Sequence, residues 1–145
     1  MTRNGRQFCQ LLLLWLAGFS APLVHAELHV VVHVSNPVNQ LSKKQIVDIF
    51  MGRVTVFPDQ SAVTALDLTP GDPLRARFYL ALTGKSEAQI DAYWATLIFA
   101  GRMSPPTQLE DQAQLIERIR QNRHAIGYVE STRLPPHLKS VLTLP

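Results

Sequence analysis

The sequence predicts an α/β protein in which helices pack on one sheet. Leu28 to Val34 is a nearly continuous β-branched, apolar run, typical of a strand buried on both faces, as in a parallel sheet. Ser42 and Ser86 are each followed three residues later by glutamine, the pattern of a capping box at a helix start. The predicted order is strand, helix, strand, three helices and two strands, which favours a single sheet covered by helices.

The elements between these signals have starts and stops of their own. The first helix ends at Gly52, a glycine of the kind that closes helices. Alternating residues from Ala62 to Leu68 predict the second strand. The turn from Thr69 to Pro73 then places a proline at the first position of the second helix, which ends at Gly84. The third helix ends at Gly101, and its apolar stripe consists of Ile90, Trp94, Leu97 and Ile98.

The last third of the chain contains one more helix and two strands. Pro105 and Pro106 predict an extended connection, and the fourth helix is expected from about Gln108 to Asn122. Ala125 to Val129 and Ser140 to Leu144 predict the last two strands. The chain contains no internal repeat.

The first 26 residues have the layout of a secretory signal peptide. Arg3 and Arg6 provide a basic start, an apolar run follows, and Val24-His25-Ala26 supplies the small residues of a cleavage site. The apolar run is about a dozen residues, shorter than the roughly 20 that cross a bilayer. Cleavage after Ala26 would leave 119 of the 145 residues as a single periplasmic domain, residues 27–145.

Removal of the signal peptide would change the net charge and the cysteine content of the chain. The full chain has 14 Lys and Arg residues and 11 acidic residues, which gives a net charge of +3. Without Arg3 and Arg6, 12 basic residues remain, and the net charge is +1. Such a balanced charge gives no support for nucleic-acid binding, which needs a concentrated basic surface. The only cysteine, Cys9, lies in the same segment. The remaining chain can therefore form no disulfide, thiolate metal site or cysteine nucleophile.

Five segments, taken together, are similar to a known family of binding proteins. They are Leu41 to Gly52 (L-S-K-K-Q-I-V-D-I-F-M-G), Val54 to Gln60 (V-T-V-F-P-D-Q), Arg75 to Phe78 (R-A-R-F), Tyr93 to Pro106 and Ala125 to Val129 (A-I-G-Y-V). The order of four of them resembles the second lobe of the phosphate-binding proteins that feed ABC transporters. Tyr93 to Pro106 looks like a feature of short, single-lobe relatives. The resemblance implies an exported α/β lobe, similar to one lobe of a type-II periplasmic binding protein, and by itself implies no ligand.

The same resemblance implies an anion-gripping motif that this chain has lost. In phosphate-binding relatives, the turn after the second strand carries an arginine and then a D-G-S-G-T run that enters a helix, and these groups hold the oxyanion. Aligned on Phe78, the arginine position falls on Asp67, and the run falls on Pro70 to Leu74, where only Gly71 is retained. The resemblance covers only one lobe, and the other lobe, which would help to enclose a ligand, has no counterpart in it. We therefore expect at most weak binding of a small anion.

Ligands of open α/β sheets bind beyond the carboxyl ends of the strands, and this rule selects the candidate binding residues. The candidates follow the first two strands, begin the second helix or lie in a later strand: Ser35, Asn36, Asp67, Thr69, Gly71, Arg75 and Tyr128. For Arg75 and its neighbour Arg77, the alternative is a surface position, paired with Asp72 and nearby acids.

Other chemistries find little support in the sequence. It contains no G-x-S-x-G, H-E-x-x-H or glycine-rich phosphate loop. His29 and His33 are four residues apart on a predicted strand, roughly 13 Å, which is too far to share a metal ion. Asp67 and Asp72 could form a carboxylate pair across the turn, but acids in these positions are ordinary capping groups. We predict no metal, no cofactor and no enzymatic activity.

Two classes of function stay open for this exported domain. One is a solute-binding module of weak or altered specificity. The other is an interaction module that docks on a membrane transporter or sensor, or on itself, through the face that the other lobe would cover. A concave polar pocket would favour the first class, and an exposed apolar patch would favour the second.

Overall fold

The computed structural model describes residues 25–145, which form one five-stranded sheet and four helices. The strands are β1 (Glu27–His33), β2 (Thr64–Leu68), β3 (Thr107–Leu109), β4 (Ala125–Ser131) and β5 (Leu138–Leu144). The helices are α1 (Lys43–Phe50), α2 (Pro73–Thr83), α3 (Glu87–Phe99) and α4 (Gln112–Gln121). The predicted α/β class, one sheet with helices packed on it, is confirmed. The predicted signal peptide, apart from its last two residues, lies outside the described residues.

The sheet is mixed, with strand order β3-β2-β4-β1-β5. β2 runs parallel to both β3 and β4, whereas β1 runs antiparallel to both β4 and β5. The parallel arrangement expected for the first strand is therefore wrong. A continuous apolar run is compatible with a central strand that is either parallel or antiparallel to its neighbours, because helices cover both faces of the sheet in each case.

The predicted helix caps are present. The Ser42 and Ser86 side chains accept hydrogen bonds from the backbone N–H of Gln45 and Gln89, and each glutamine side chain returns a bond to the cap residue. Asp72 caps α2 ahead of Pro73 at the first helical position. Such reciprocal bonds satisfy backbone donors that a helix start otherwise leaves unpaired.

Several boundaries differ from the sequence prediction. The segment expected to begin the fourth helix instead forms β3, and α4 starts only after Asp111, whose side chain caps it. The last two strands are each longer than predicted. A three-residue strand carries too little periodicity to be distinguished from a helix start, and its pairing with β2 is a tertiary contact.

Helices cover both faces of the sheet, as two neighbouring residues of β4 show. A Cβ added to Gly127 would meet Leu115 of α4 at 2.6 Å, so this glycine permits close packing of the helix. The next residue, Tyr128, stacks on Phe78 of α2 with ring centroids 3.8 Å apart. Because successive side chains of a strand point to opposite faces, α4 and α2 lie on opposite sides.

The core is continuous across the sheet, and the inner part of α3 belongs to it. Ile90 and Trp94 are buried, and Leu97 is half-buried. Ile98, predicted on the same apolar stripe, is instead 53% exposed. Phe99, the last residue of α3, is 95% exposed. The end of α3 therefore extends beyond the core. Within residues 25–145, no helix is both long enough and apolar enough to cross a membrane.

Candidate functional site

A buried polar cluster lies where β2 ends and α2 begins. Its centre is Asp67, and it includes Arg75 and Tyr79 from α2 and Tyr128 from β4. Each of these four residues is at most 1% exposed. Ala65 pairs with Ile126, and continuing that parallel register by two residues places Asp67 beside Tyr128. Arg75 and Tyr79 are one helical turn apart and share a face of α2.

The Asp67 carboxylate accepts four hydrogen bonds. Its Oδ2 accepts from the Tyr79 hydroxyl at 2.9 Å and from Arg75 Nε at 3.1 Å. Its Oδ1 accepts from the Tyr128 hydroxyl at 2.6 Å and from the backbone N–H of Leu68 at 2.8 Å. Both oxygens are thus occupied by donors of the chain. Such full satisfaction is what a buried carboxylate requires.

The Arg75 guanidinium is bound to carboxylates of the chain through each of its three nitrogens. Besides Asp67, it binds two residues of α3: Nη1 donates to Glu87 Oε1 at 2.6 Å, and Nη2 donates to Asp91 Oδ1 at 2.9 Å. Its Cζ lies 5.2 Å from the centroid of the Tyr79 ring. All three nitrogens donate to carboxylates of the chain, so three of the five guanidinium N–H groups are already in use.

Backbone donors around the start of α2 are also in use. The N–H of Gly71, a residue with a φ of +94°, donates to Glu87 Oε1 at 2.8 Å. The N–H of Leu74 donates to the side chain of Asp72 at 2.8 Å. Pro70 and Pro73 have no N–H to offer. The helix start thus carries the chain's own carboxylates where an anion would otherwise bind.

The electrostatics of the cluster disfavour an external anion. One guanidinium faces three carboxylates, Asp67, Glu87 and Asp91, which leaves an excess of negative charge. Burial raises the pKa of Asp67 even though the Tyr128 hydrogen bond and the Arg75 charge lower it. Burial alone would raise the pKa of Glu87. The hydrogen bonds from the Gly71 N–H and Arg75, together with the Arg75 charge, outweigh burial and hold this pKa below its usual range.

The two tyrosines act as donors in this cluster. Burial, and then the neighbouring Asp67 charge, raise the pKa of both Tyr79 and Tyr128. Their hydroxyls therefore stay protonated at neutral pH and donate to the carboxylate. The Tyr128 oxygen in turn accepts from the N–H of Leu68 at 3.1 Å, which fixes its position.

Two of the predicted binding residues lie elsewhere. Ser35 and Asn36 follow β1, whose end pairs with the start of β4 through Val32 and Ile126. Because β1 runs antiparallel to β4, both residues lie at the opposite end of the sheet from Asp67. Asn36 is buried there, where its side chain donates to the Arg123 carbonyl and accepts from the Val38 N–H. Ser35 is exposed and contacts His33.

The other five predicted residues lie at or near the cluster. Asp67, Arg75 and Tyr128 form it, Gly71 contacts it through Glu87, and Thr69 lies half-buried in the adjoining turn. Whether they bind a ligand stays a prediction.

The alternative expectation for the arginines holds only in part. Arg75 is buried rather than exposed, and its partners do not include Asp72, which instead caps α2. Arg77 is more exposed and pairs with Glu130. The suggested pair of Asp67 and Asp72 does not form either, because each carboxylate is committed to its own donors.

Three residues of the cluster, Tyr79, Glu87 and Asp91, were not predicted from the sequence. A usable signal was present, because Arg75 and Tyr79 are four residues apart on α2, and Glu87 and Asp91 are four residues apart on α3. Each pair therefore shares one helix face. A basic and a phenolic side chain on one face could meet an acidic pair on the next helix. Among residues 25–145, no group of three or more His, Cys, Asp or Glu could hold a metal ion.

Two surface features lie outside this cluster: a pair of shallow depressions beside α1, and the exposed end of α3. Two shallow depressions share Ile49 and Val54 in their lining, and one of them extends to Pro105 and Pro106. The exposed Phe99 at the end of α3 is a further apolar feature. Singly exposed apolar residues are common, but a phenylalanine that is almost fully exposed is the kind of group that partner surfaces use.

Comparison with solved structures identifies the architecture. An ABC-type phosphate transport receptor from Vibrio cholerae superposes with a TM-score of 0.62 at 16% identity, over 81% of this chain and 46% of that chain. A protein from Clostridium perfringens, described as a phosphate ABC transporter substrate-binding protein and solved with phosphate bound, gives 0.63 at 18% identity, over 81% and 45%. PstS from Borrelia burgdorferi gives 0.56 at 10% identity, over 73% and 41%.

This chain has the fold of one lobe of such a receptor. It spans less than half the length of the receptors that it matches. The resemblance predicted from the sequence motifs is thus confirmed for the fold. No protein-family profile matches the sequence, and a search of curated proteins gives no significant match. At these identities the likeness concerns the fold and leaves the ligand open.

Proposed function

We propose that this protein is an exported, non-enzymatic module of the solute-binding type that has lost the anion grip of the phosphate receptors. The observation that carries the proposal is the occupation of the candidate site by the chain's own carboxylates. Arg75 holds Asp67, Glu87 and Asp91, and the Gly71 N–H is bound to Glu87. The receptor-like fold supports the assignment to a binding module rather than an enzyme.

Phosphate should bind no more tightly than roughly millimolar, which corresponds to about −4 kcal/mol. The chain's carboxylates repel the anion, and Pro70 and Pro73 provide no N–H at the helix start. Calorimetric titration with phosphate at low ionic strength measures this. A micromolar dissociation constant would contradict the proposal and would require a site outside the Asp67 cluster. A thermal-shift screen of small solutes extends the test, because a ligand of the native state raises the melting temperature.

Export should release a chain that begins at Glu27. Val24-His25-Ala26 supplies the small residues at positions −3 and −1 of the cleavage site. N-terminal sequencing of the protein from the periplasmic fraction checks this expectation. Recovery of the intact Met1 form in the membrane fraction would show that the apolar run is an anchor instead.

A second candidate function is an interaction module that docks on a membrane transporter or sensor, or on a second copy of itself. The 95% exposure of Phe99, beside the exposed Ile98, favours it. Both are large apolar side chains at the end of α3, beyond the core, and burying them against a partner would be favourable.

A further inference from the structure

We propose that the buried cluster is an oxyanion site whose ligand is the chain's own carboxylate: Asp67, with Glu87 at the outer edge, holds the place of a small bound carboxylate. This inference rests on the proposed function, because it gives the physical reason why the module takes no free anion. It makes Asp67 the residue that determines the specificity of the site.

The donors around Asp67 are those of a binding site. Two tyrosine hydroxyls, one guanidinium nitrogen and one backbone N–H converge on the two carboxylate oxygens at 2.6–3.1 Å. Charge-assisted bonds of this kind are the strong ones in anion recognition. Three of the four donors come from α2 and β4, so the fold arranges them around Asp67, and the fourth is the N–H of the next residue, Leu68.

The Glu87 carboxylate is bound in a similar way at the outer edge of the cluster. One oxygen, Oε1, accepts from both Arg75 Nη1 at 2.6 Å and the Gly71 N–H at 2.8 Å. A guanidinium and a backbone N–H beside a helix start are a common pair of anion donors. The Glu87 side chain is 21% exposed, so this part of the site lies nearer to solvent than Asp67.

Free anions are therefore excluded because the donors of the site are already bound to the chain's own carboxylates. In the sequence, the family's arginine is replaced by Asp67, Asp72 adds a second negative charge, and Pro70 and Pro73 lack an N–H. The structure nevertheless contains a guanidinium, two tyrosine hydroxyls and the N–H groups of Leu68 and Gly71, and each of them is bound to a carboxylate of the chain. Removing one carboxylate while keeping its donors should open a site for a small carboxylate from solution.

The test is the thermal unfolding of an Asp67→Ala variant in sodium formate, compared with sodium chloride of equal ionic strength. Alanine removes the carboxylate group, and formate has its size. At formate concentrations well above its dissociation constant, the melting temperature should rise by about 5 °C over the chloride sample. Acetate should raise it less than formate, because its methyl group would overlap the alanine. The wild type and Asp67→Asn, in which the space stays filled, should show no such rise.

A second variant covers the case in which Asp67→Ala does not fold. Glu87→Ala removes the less buried carboxylate and frees Arg75 Nη1 and the Gly71 N–H, so acetate should stabilise it while Glu87→Gln shows no effect. The matched control is Glu117→Ala, which frees the exposed Arg120 from its two bonds with Glu117 at 2.6 and 2.7 Å. A bare surface arginine should give no specific rise.

Two results would overturn the inference. One is that formate and acetate act no differently from chloride on every folded variant of Asp67 and Glu87. The other is an equal rise in Glu117→Ala, which would indicate a general salt effect. Phosphate titrated into the wild type reports separately on the proposed function, since tight binding there would contradict the function whatever the variants do.

Discussion

Replacing Arg75 by methionine should lower the free energy of unfolding by about 3–5 kcal/mol, the range for removing one partner of a buried ion pair. Methionine fills much of the space of the arginine stem but leaves Asp67 buried with no cation. The two tyrosine hydroxyls still donate to Asp67, yet they bring no compensating charge. Chemical denaturation at neutral pH measures the loss.

The pH dependence of this variant provides a second readout. Burial already raises the pKa of Asp67, and removal of the guanidinium should raise it further. A carboxyl whose pKa is higher in the folded than in the unfolded state takes up protons preferentially in the folded state as pH falls. The stability deficit of Arg75→Met relative to wild type should therefore shrink as pH is lowered from 7 towards the pKa of Asp67.

Arg77→Met is the matched control for Arg75→Met. Arg77 lies two residues further along α2, and its pair with Glu130 is about 40% exposed on both sides, 42% and 39%. Exposed pairs contribute about 0–1 kcal/mol, so this variant should change stability little. A loss below about 1 kcal/mol for Arg75→Met would show that the buried cluster contributes nothing that packing cannot replace. Arg75→Met combined with Asp67→Asn should lose less than the two single variants together.

Local signals in this sequence predicted local structure well. The capping boxes at Ser42 and Ser86 and the proline at the start of α2 act within a few residues, so the printed sequence contains the whole interaction. The direction of β1 could not be predicted in this way. Its apolar run is compatible with parallel and antiparallel neighbours, and the choice depends on β4, almost one hundred residues later.

In the candidate site, too, the local sequence predicted part of the arrangement, and tertiary packing determines the rest. Asp67, Arg75 and Tyr128 were selected because they lie at the end of a strand, at the start of a helix and in a later strand, and the structure brings them together. That they bind one another depends on the packing of α2 against the sheet and on the pairing of β2 with β4. The packing of α3 against α2 then brings Glu87 and Asp91 to the guanidinium. Ser35 and Asn36 were selected by the same rule, and the antiparallel direction of β1 places them at the other end of the sheet.

Truncation of Trp94 to alanine should cost about 3–5 kcal/mol, the range for large aromatic side chains in cores. Trp94 is 5% exposed, and its ring packs in T-shaped geometry against Tyr93, with centroids 5.2 Å apart. The ring also fills the space above Gly52, where an added Cβ would meet Trp94 Cη2 at 2.7 Å. Within residues 25–145, its Nε1 has no hydrogen-bond partner. The expected cost therefore comes from lost packing, since no hydrogen bond is removed.

The control for Trp94→Ala is Ile98→Ala on the same helix, one turn further along. Both residues belong to one predicted apolar stripe, but Ile98 is 53% exposed, so its truncation should change stability by no more than about 0.5 kcal/mol. Denaturant titration of both variants compares two apolar residues of one helix that differ in burial. If Trp94→Ala lost less than about 1 kcal/mol, the tryptophan would belong to an interface rather than to the core. A large loss of stability for Trp94→Ala and a small one for Ile98→Ala would locate the edge of the core between these two residues of α3.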